Sequence, residues 1–214
     1  MRVAIAGGHG KIGRLLIAEL RERGDEVRSL DRKAEYGDEL REAGAEPVVC
    51  DLEWAGLPEI ADAIEGMDAV VFSVGAGPGS GPEPKWTIDY AGALKLAAAA
   101  LIGGVRRYVI VSSIGADPRA EGDEGFAVYL RAKGKADEEL QKSGLDYTVV
   151  RPTGLSDEPG TGRVKAGEGV GRGEISRADV AATLAAALHT PDTIGKTFGL
   201  TSGEQPIEEA LASL

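Results

Sequence analysis

The sequence predicts an α/β fold, a doubly wound parallel sheet of about seven strands with helices on both faces. Two observations carry this prediction. Short apolar runs alternate with amphipathic segments along the chain, which is the pattern of successive β–α–β units. Most of these runs are apolar throughout, as expected for strands that helices cover on both faces. The 214 residues suit one domain, so we interpret 1–214 as a single domain with a short C-terminal extension.

The first half of the chain predicts four strands with helices between them. Residues 2–6 form a short apolar run that stops at two glycines, which predicts a buried first strand. Residues 12–23 follow as a helix, because their apolar side chains share one face. The remaining elements of this half are strands at 26–30, 46–50 and 68–74, and helices at 37–43 and 58–65.

The second half predicts three more strands and two glycine-rich segments. Residues 75–84 are rich in Gly and Pro and predict a loop. Residues 152–173 contain seven glycines and predict mostly loop, of which 153–173 would form a lid over a substrate; 153–214 form the small C-terminal portion. The other elements are helices at 87–102, 126–143, 176–188 and 207–211, strands at 106–112, 146–151 and 197–200, and a loop at 115–125.

Composition excludes several classes of function. The formal net charge is −11 and basic residues form no long cluster, so we expect no nucleic-acid partner and no docking on an anionic membrane. The single cysteine, Cys50, permits no internal disulfide, and we expect a reducing, cytoplasmic setting. His9 and His189 stand far apart in the sequence, so we expect no metal site. The longest apolar stretch, 94–105, is too short to span a membrane.

A glycine motif separates the first strand from the first helix. Gly7, Gly10 and Gly13 have the spacing G-x-x-G-x-x-G. In a Rossmann-like β–α–β unit, the first glycine allows a tight turn, the second admits a pyrophosphate, and the third lets the helix pack closely. The helix N-terminus, at Lys11 and Ile12, would offer free N–H groups to the phosphates. The sequence therefore predicts a dinucleotide site at this turn.

The end of the second strand carries opposite charges. Asp31 at this place favours a ribose 2′-hydroxyl and hence NAD, whereas Arg32 favours a 2′-phosphate and hence NADP. With Lys33 next in sequence, we favour NADP, with NAD as the alternative. The adenine ring is expected near Asp51 and Leu52. Further residues expected in the cofactor site are Gly75, Lys133, Pro152 and Thr153.

A candidate reaction centre follows the fifth strand. Ser113 ends that strand, and Tyr129 and Lys133 lie four residues apart on the next helix, so they share a face. Strand carboxyl ends face the ligand crevice of a parallel sheet. A tyrosine beside an ammonium can donate a proton to a carbonyl oxygen that a serine holds. The alternative is that these residues form an ordinary helix surface.

Together, these motifs resemble the short-chain dehydrogenase/reductase superfamily. The residues that carry the resemblance are Gly7, Gly10 and Gly13, Asp51–Leu52, 111–113, Tyr129 and Lys133, and Arg151–Pro152. More narrowly, the chain is similar to the atypical, NAD(P)H-binding NmrA-like branch that includes biliverdin reductase B-like proteins. The resemblance implies that Arg32 binds the 2′-phosphate and that Ser113, Tyr129 and Lys133 match the catalytic serine, tyrosine and lysine. The family's usual asparagine would fall at Asp89.

Three functions are compatible with this sequence. The first is an NADP-dependent reductase that transfers hydride to a small carbonyl, quinone or flavin-like acceptor, acting as a monomer or homodimer. The second is a dinucleotide sensor without catalysis, as in NmrA-like regulators. The third is a sugar-nucleotide epimerase or dehydratase, which we rank lowest because only about 60 residues follow Arg151.

Overall fold

A nine-stranded, mostly parallel sheet forms the centre of the protein. The computed structural model describes residues 1–77 and 79–214. In this part of the chain, the strands of the sheet lie in the order Gln205–Pro206, Arg163–Gly167, Lys196–Ser202, Asp146–Pro152, Arg107–Val111, Ala69–Phe72, Arg2–Ala6, Glu26–Asp31 and Ala45–Val49. The strands pair in parallel except at one edge, where Arg163–Gly167 runs antiparallel to both of its neighbours. The predicted fold class is confirmed.

The strands and helices alternate for most of the chain. The strands are β1 Arg2–Ala6, β2 Glu26–Asp31, β3 Ala45–Val49, β4 Ala69–Phe72, β5 Arg107–Val111, β6 Asp146–Pro152, β7 Gly154–Ser156, β8 Arg163–Gly167, β9 Glu174–Ser176, β10 Lys196–Ser202 and β11 Gln205–Pro206. The α-helices are α1 Lys11–Glu22, α2 Gly37–Glu42, α3 Leu57–Ala63, α4 Pro82–Pro84, α5 Ala91–Ile102, α6 Gly125–Lys142, α7 Arg177–His189 and α8 Ile207–Ala212. A π-helical segment, Lys85–Tyr90, joins α4 to α5, and 3₁₀ turns occupy Ala34–Tyr36 and Pro191–Thr193.

Both faces of the sheet are buried under helices. Alternate residues of a strand point to opposite faces. In β1, Val3 and Ile5 belong to a core that includes residues of α1, α7 and α8. Ala4 and Ala6 belong to a second core that includes residues of α3, α5 and α6. This burial on both sides explains why the strand is apolar at four consecutive positions.

The sequence predicted too few strands. It missed β8 and β11 in the sheet, and it also missed the separate parallel pair of β7 and β9. The prediction that 152–173 is mostly loop is wrong over β7 and β8. β7 is only three residues long, and the alternation of apolar and charged residues in β8 is short and flanked by glycines. The predicted loop at 75–84 is wrong over α4, where two prolines fit the first helical turn. Pro78, in the same predicted loop, lies outside the described residues.

The order of the strands places a crevice beside β1. β2 and β3 lie on one side of β1, while β4, β5 and β6 lie on the other. The connections therefore change direction at β1 and β4, and ligands of open α/β sheets bind at the carboxyl ends of strands where this reversal occurs. No helix among the described residues has the length and apolar character that crossing a membrane requires.

Candidate functional site

The turn between β1 and α1 is closely packed at two of its glycines. Gly7 has a φ of 84°, a left-handed conformation that favours glycine, and its N–H donates to the Leu30 carbonyl at 2.9 Å. A Cβ atom on Gly13 would lie 2.3 Å from the Gly7 carbonyl oxygen. At Gly10, the closest atom to a Cβ would be the same oxygen, at 3.1 Å. The fold therefore requires glycine at 7 and 13, whereas 10 borders an open cleft.

A first cleft, which we call the glycine-loop cleft, follows this turn along the carboxyl ends of β1 and β2. Its volume is about 290 Å³. It is lined by Gly7, His9, Gly10, Leu30, Asp31, Arg32, Tyr36, Cys50, Asp51, Leu52, Glu53, Ser73, Val74, Gly75, Ala76 and Ile88. Burial raises the pKa of the Cys50 thiol to about 11, so this side chain stays protonated and apolar at neutral pH. The glycines of this cleft lie next to the N-terminus of α1, and such an arrangement fits the phosphates of a dinucleotide.

Asp31 and Arg32 differ in how far they reach into this cleft. The Asp31 carboxylate is buried and accepts hydrogen bonds from the His9 N–H, at 3.1 Å, and the Ser29 hydroxyl, at 2.5 Å. Arg32 is exposed at the wall of the cleft. The carboxylate thus holds the glycine turn against β2, whereas Arg32 remains exposed at the wall of the cleft. Beside it, the rings of His9 and Tyr36 stack at 3.5 Å.

A second cleft, which we call the aromatic cleft, adjoins the first. The two clefts share Gly75 and Ala76, which follow β4. The aromatic cleft has a volume of about 690 Å³, within the range of small-molecule sites. Its other described lining residues are Gly77, Gly79, Ser80, Gly81, Pro82, Lys85, Gly125, Phe126, Tyr129 and Leu155. The Phe126 and Tyr129 rings lie 6.1 Å apart at 28° to each other.

Beneath Tyr129, two charged side chains are buried together. The Nζ of Lys133 lies 3.2 Å from Oδ1 of Asp89, and both side chains are almost fully buried. Lys133 also donates to the Val111 carbonyl at 3.1 Å, and its ammonium lies 6.0 Å from the centroid of the Tyr129 ring. Burial is the largest single effect and would lower the pKa of Lys133. The charge and hydrogen bond of Asp89, together with the charges of Tyr129 and Asp137, outweigh burial, and the pKa is raised.

The ion pair also supports the segment that separates the two clefts. The other carboxylate oxygen of Asp89 accepts a hydrogen bond from the Ala76 N–H at 3.2 Å, and Lys133 Nζ approaches the Val74 carbonyl at 3.4 Å. Lys133 itself lines neither cleft. The structure therefore places the predicted catalytic lysine behind the clefts. There, Lys133 and Asp89 together support the backbone of residues 74–76.

We expect Asp89→Asn to lower the free energy of unfolding by about 1–3 kcal/mol, because a buried ammonium then lacks its counter-charge. The measurement is urea unfolding of both proteins. The raised pKa of Lys133 fixes the sign of the pH effect: the pair stabilises the fold fully below the ordinary lysine pKa of 10.5 and less as pH rises through the higher folded value. An equal difference in stability at pH values above both pKa values would contradict this assignment.

The two serines at the end of β5 have different surroundings. Ser112 is buried and donates to Asp137 Oδ2 at 2.8 Å, and Arg151 donates to the same oxygen at 2.9 Å. Burial raises the pKa of Asp137 despite the neighbouring Arg151. Ser113 is half-buried, and its hydroxyl donates to the Ile114 carbonyl at 3.2 Å. Ser113 is not among the described residues that line either cleft.

Four further predicted cofactor residues lie outside the lining of both clefts. Lys11 is exposed and pairs with Asp157, which Arg177 also contacts at 2.6 Å. Ile12 packs against the core. The carbonyl of Pro152 accepts a hydrogen bond from the Ile114 N–H at 2.9 Å, and the Thr153 hydroxyl bonds that of Thr201 at 3.0 Å. These residues shape the walls behind the clefts.

His9, Tyr36 and Lys85 are among the residues lining the clefts that sequence reasoning missed. His9 and Tyr36 meet only because the glycine turn folds back over the segment after β2, and no pattern in the sequence signals that contact. Lys85 stands next to a segment interpreted as loop, yet it is almost fully buried in the π-helical segment. Single-turn π-helical distortions occur frequently at functional sites, but they have no reliable sequence signature.

The fold and the glycine-loop cleft together define a Rossmann-type dinucleotide-binding protein. Comparison with protein families gives the family: the family described as NAD(P)H-binding matches residues 7–191, and the chain belongs to it. The predicted resemblance to NAD(P)H-binding proteins of this kind is confirmed. Over its full length, the chain is 42% identical to all of YhfK of Bacillus subtilis, which bears the name "uncharacterized sugar epimerase".

Solved structures show the same architecture. A Bacillus halodurans protein named for the NAD-dependent epimerases/dehydratases is 40% identical, with full coverage of both chains and a TM-score of 0.92. The oxidoreductase ylbE from Lactococcus lactis is 31% identical, covering all of this chain and 96% of the other, with a TM-score of 0.86. ChuY, an anaerobillin reductase from Escherichia coli, shares the fold alone, at 22% identity and a TM-score of 0.80.

Proposed function

We propose that the protein is an NADPH-dependent reductase of small carbonyl, quinone or flavin-like acceptors. One observation carries the proposal. Tyr129 lines an acceptor-sized cleft that joins the glycine-loop cleft at Gly75 and Ala76, and the ammonium group of Lys133 lies 6.0 Å from its ring centroid. This arrangement supports a role for Tyr129 as the proton donor to an acceptor bound next to the cofactor.

Different residues of the glycine-loop cleft would bind different parts of the cofactor. Gly7, Gly10 and the N-terminus of α1 would hold the pyrophosphate through main-chain N–H groups. Leu30, Asp51 and Leu52 would surround the adenosine, because they line the far end of the same cleft. Arg32 would bind the 2′-phosphate, which favours NADP over NAD. When bound, the cofactor would supply a hydride to the acceptor and become oxidised.

Tyr129 would complete the reduction of a carbonyl group. As the carbon gains hydride, the oxygen gains negative charge, and the Tyr129 hydroxyl donates its proton to that oxygen to form the alcohol. The Lys133 ammonium would stabilise the tyrosinate that remains until solvent returns a proton. The Asp89 carboxylate would hold the segment 74–76, and hence the junction of the two clefts, in place.

Arg32→Ala is expected to weaken NADPH binding by about ten- to a hundredfold and to leave NADH binding almost unchanged, because a charge-assisted contact to phosphate contributes about 1.5–3 kcal/mol. Isothermal titration calorimetry with both cofactors measures this. Arg41→Ala is the matched control, since Arg41 pairs with Asp38 and lies outside the glycine-loop cleft. Equal losses for both cofactors, or tighter NADH binding by the wild type, would refute the choice of NADP.

The reductase proposal is tested by steady-state NADPH oxidation against a panel of aldehydes, quinones and flavins. We expect turnover with at least one acceptor class and a stoichiometry of one NADPH consumed for each acceptor reduced. NADPH binding without turnover on any acceptor would reject the reductase and favour a dinucleotide sensor.

A redox-neutral epimerase or dehydratase is the second candidate, because the two most similar relatives described above carry such names. An epimerase would keep its cofactor oxidised and tightly bound and would consume none of it overall. The described lining of the aromatic cleft offers glycines, two aromatic rings and few polar groups for sugar hydroxyls, which favours the reductase. Conversion of a nucleotide sugar without net change in NADPH absorbance would favour the epimerase instead.

A further inference from the structure

The aromatic cleft contains a buried ammonium group with unused bonding capacity. Lys85 is 6% exposed, and its Nζ donates to the Gly77 carbonyl at 2.7 Å. The same atom lies 5.5 Å from the centroid of the Tyr129 ring, in cation–π contact. An ammonium has three N–H donors, and burying its charge is costly unless it is paired. Among the described residues, this ammonium contacts one carbonyl and one aromatic ring, which leaves N–H donors for an anionic partner.

The walls of the cleft favour such a partner. Although the chain carries a net charge of −11, Lys85 is the one charged side chain among the described residues that line the aromatic cleft. An anion that enters therefore meets a cation and no carboxylate in this part of the wall. In a cleft with low-dielectric walls, a single charge acts more strongly than it would at the open surface.

Other lining residues of the aromatic cleft are apolar or aromatic. Phe126 is 69% exposed and Leu155 is 37% exposed, although both are large apolar side chains that folding usually covers. The Phe126 ring lies beside the ring of Tyr129, and the two are inclined by only 28°. A flat ligand placed against them would remove apolar surface from water and stack on the rings.

We propose that Lys85 is the specificity-determining residue of the aromatic cleft, and that the cleft takes a planar aromatic or quinone-like acceptor bearing an anionic substituent such as a carboxylate or sulfonate. This inference rests on the proposed function, because it takes the aromatic cleft as the acceptor site. The ring would lie against Phe126 and Tyr129, and the anionic group would accept the free N–H donors of Lys85.

The test compares menadione with naphthoquinone sulfonate, an anionic quinone on the same ring system. We expect Lys85→Met to lower kcat/KM for the sulfonate by about ten- to a hundredfold, mainly through KM, and to change kcat/KM for menadione by less than about threefold. The mutant-to-wild-type ratio is compared for each quinone, because the two differ in intrinsic reactivity. Equal losses on both quinones, or no loss on either, would overturn the assignment.

Two variants control for structure and for charge. Lys85→Arg keeps the cation and is expected to retain the preference for the sulfonate. Lys142→Met removes the same charge at the far end of α6, where Lys142 pairs with Glu139, and is expected to leave both rates unchanged. Thermal unfolding of each variant with bound NADPH confirms that the comparison is made on folded protein.

A binding measurement separates this inference from the reductase proposal. Calorimetry of naphthalene sulfonate and naphthol is carried out on protein saturated with NADP⁺. Wild-type protein is expected to bind the sulfonate at least about tenfold more tightly than the naphthol, and Lys85→Met is expected to remove that difference. If no quinone is reduced but the wild type still binds the sulfonate more tightly than the naphthol, the reductase proposal is rejected and the anion-site proposal is supported. Equal binding of the two probes, or binding of neither, would overturn the anion site.

Discussion

Gly10→Val is expected to weaken NADPH binding by more than about a hundredfold while the protein remains folded. Gly10 precedes α1 with φ −63° and ψ 161°, a conformation that valine adopts readily. A Cβ atom there meets only the Gly7 carbonyl oxygen, at 3.1 Å, and otherwise projects into the glycine-loop cleft. The side chain would occupy the space of the pyrophosphate and remove several charge-assisted hydrogen bonds, each contributing about 1.5–3 kcal/mol.

Gly13→Val provides the contrasting case. A Cβ atom at this position would lie 2.3 Å from the Gly7 carbonyl oxygen and 2.6 Å from the Gly8 Cα, so α1 would have to move away from the turn. This variant should lose stability whether or not cofactor is present. Calorimetry and urea unfolding of both variants separate the two effects. If Gly10→Val bound NADPH as tightly as the wild type, the prediction that the dinucleotide binds at this turn would be wrong.

The sequence correctly predicted the elements whose residue pattern follows directly from burial in a parallel sheet. Buried parallel strands need apolar residues on both faces, so the run at 2–6 identified β1 and, with its glycines, the turn that follows. Such local signals depend on residues a few positions apart, and these are visible in one sequence.

The site depended on contacts between distant segments, and these could not be inferred. Lys133 and Asp89 were both expected at the reaction centre, but the sequence did not predict that these side chains, 44 positions apart, form a buried ion pair. Lys85 enters the aromatic cleft because a π-helical segment turns it inward beneath Tyr129. β8 pairs along the edge of β10, and β11 pairs in turn with β8, so both strands depend on a distant segment for their partner.

Tyr129→Phe is expected to reduce the turnover of an aldehyde by about 10²–10⁴-fold, the usual contribution of general acid catalysis, while NADPH affinity stays within a few-fold. The substitution removes the hydroxyl alone. The phenyl ring can still pack beside Phe126 and keep its contact with the Lys85 ammonium, which lies 5.5 Å from the centroid of the Tyr129 ring. The measurement is kcat and KM for an aldehyde, together with the Kd of NADPH by calorimetry.

Tyr147→Phe makes the same chemical change at the amino end of β6, away from the crevice, and should leave turnover unchanged. A flavin acceptor sharpens the comparison, because reduced flavin can take its proton from solvent. In a reductase that acts through Tyr129, the variant therefore loses aldehyde turnover and keeps flavin turnover. If the wild type reduces an aldehyde and Tyr129→Phe reduces it at the same rate, the proton comes from elsewhere. The buried Lys133 ammonium, held by Asp89 beneath the ring, would then serve the architecture of the cleft and not its chemistry.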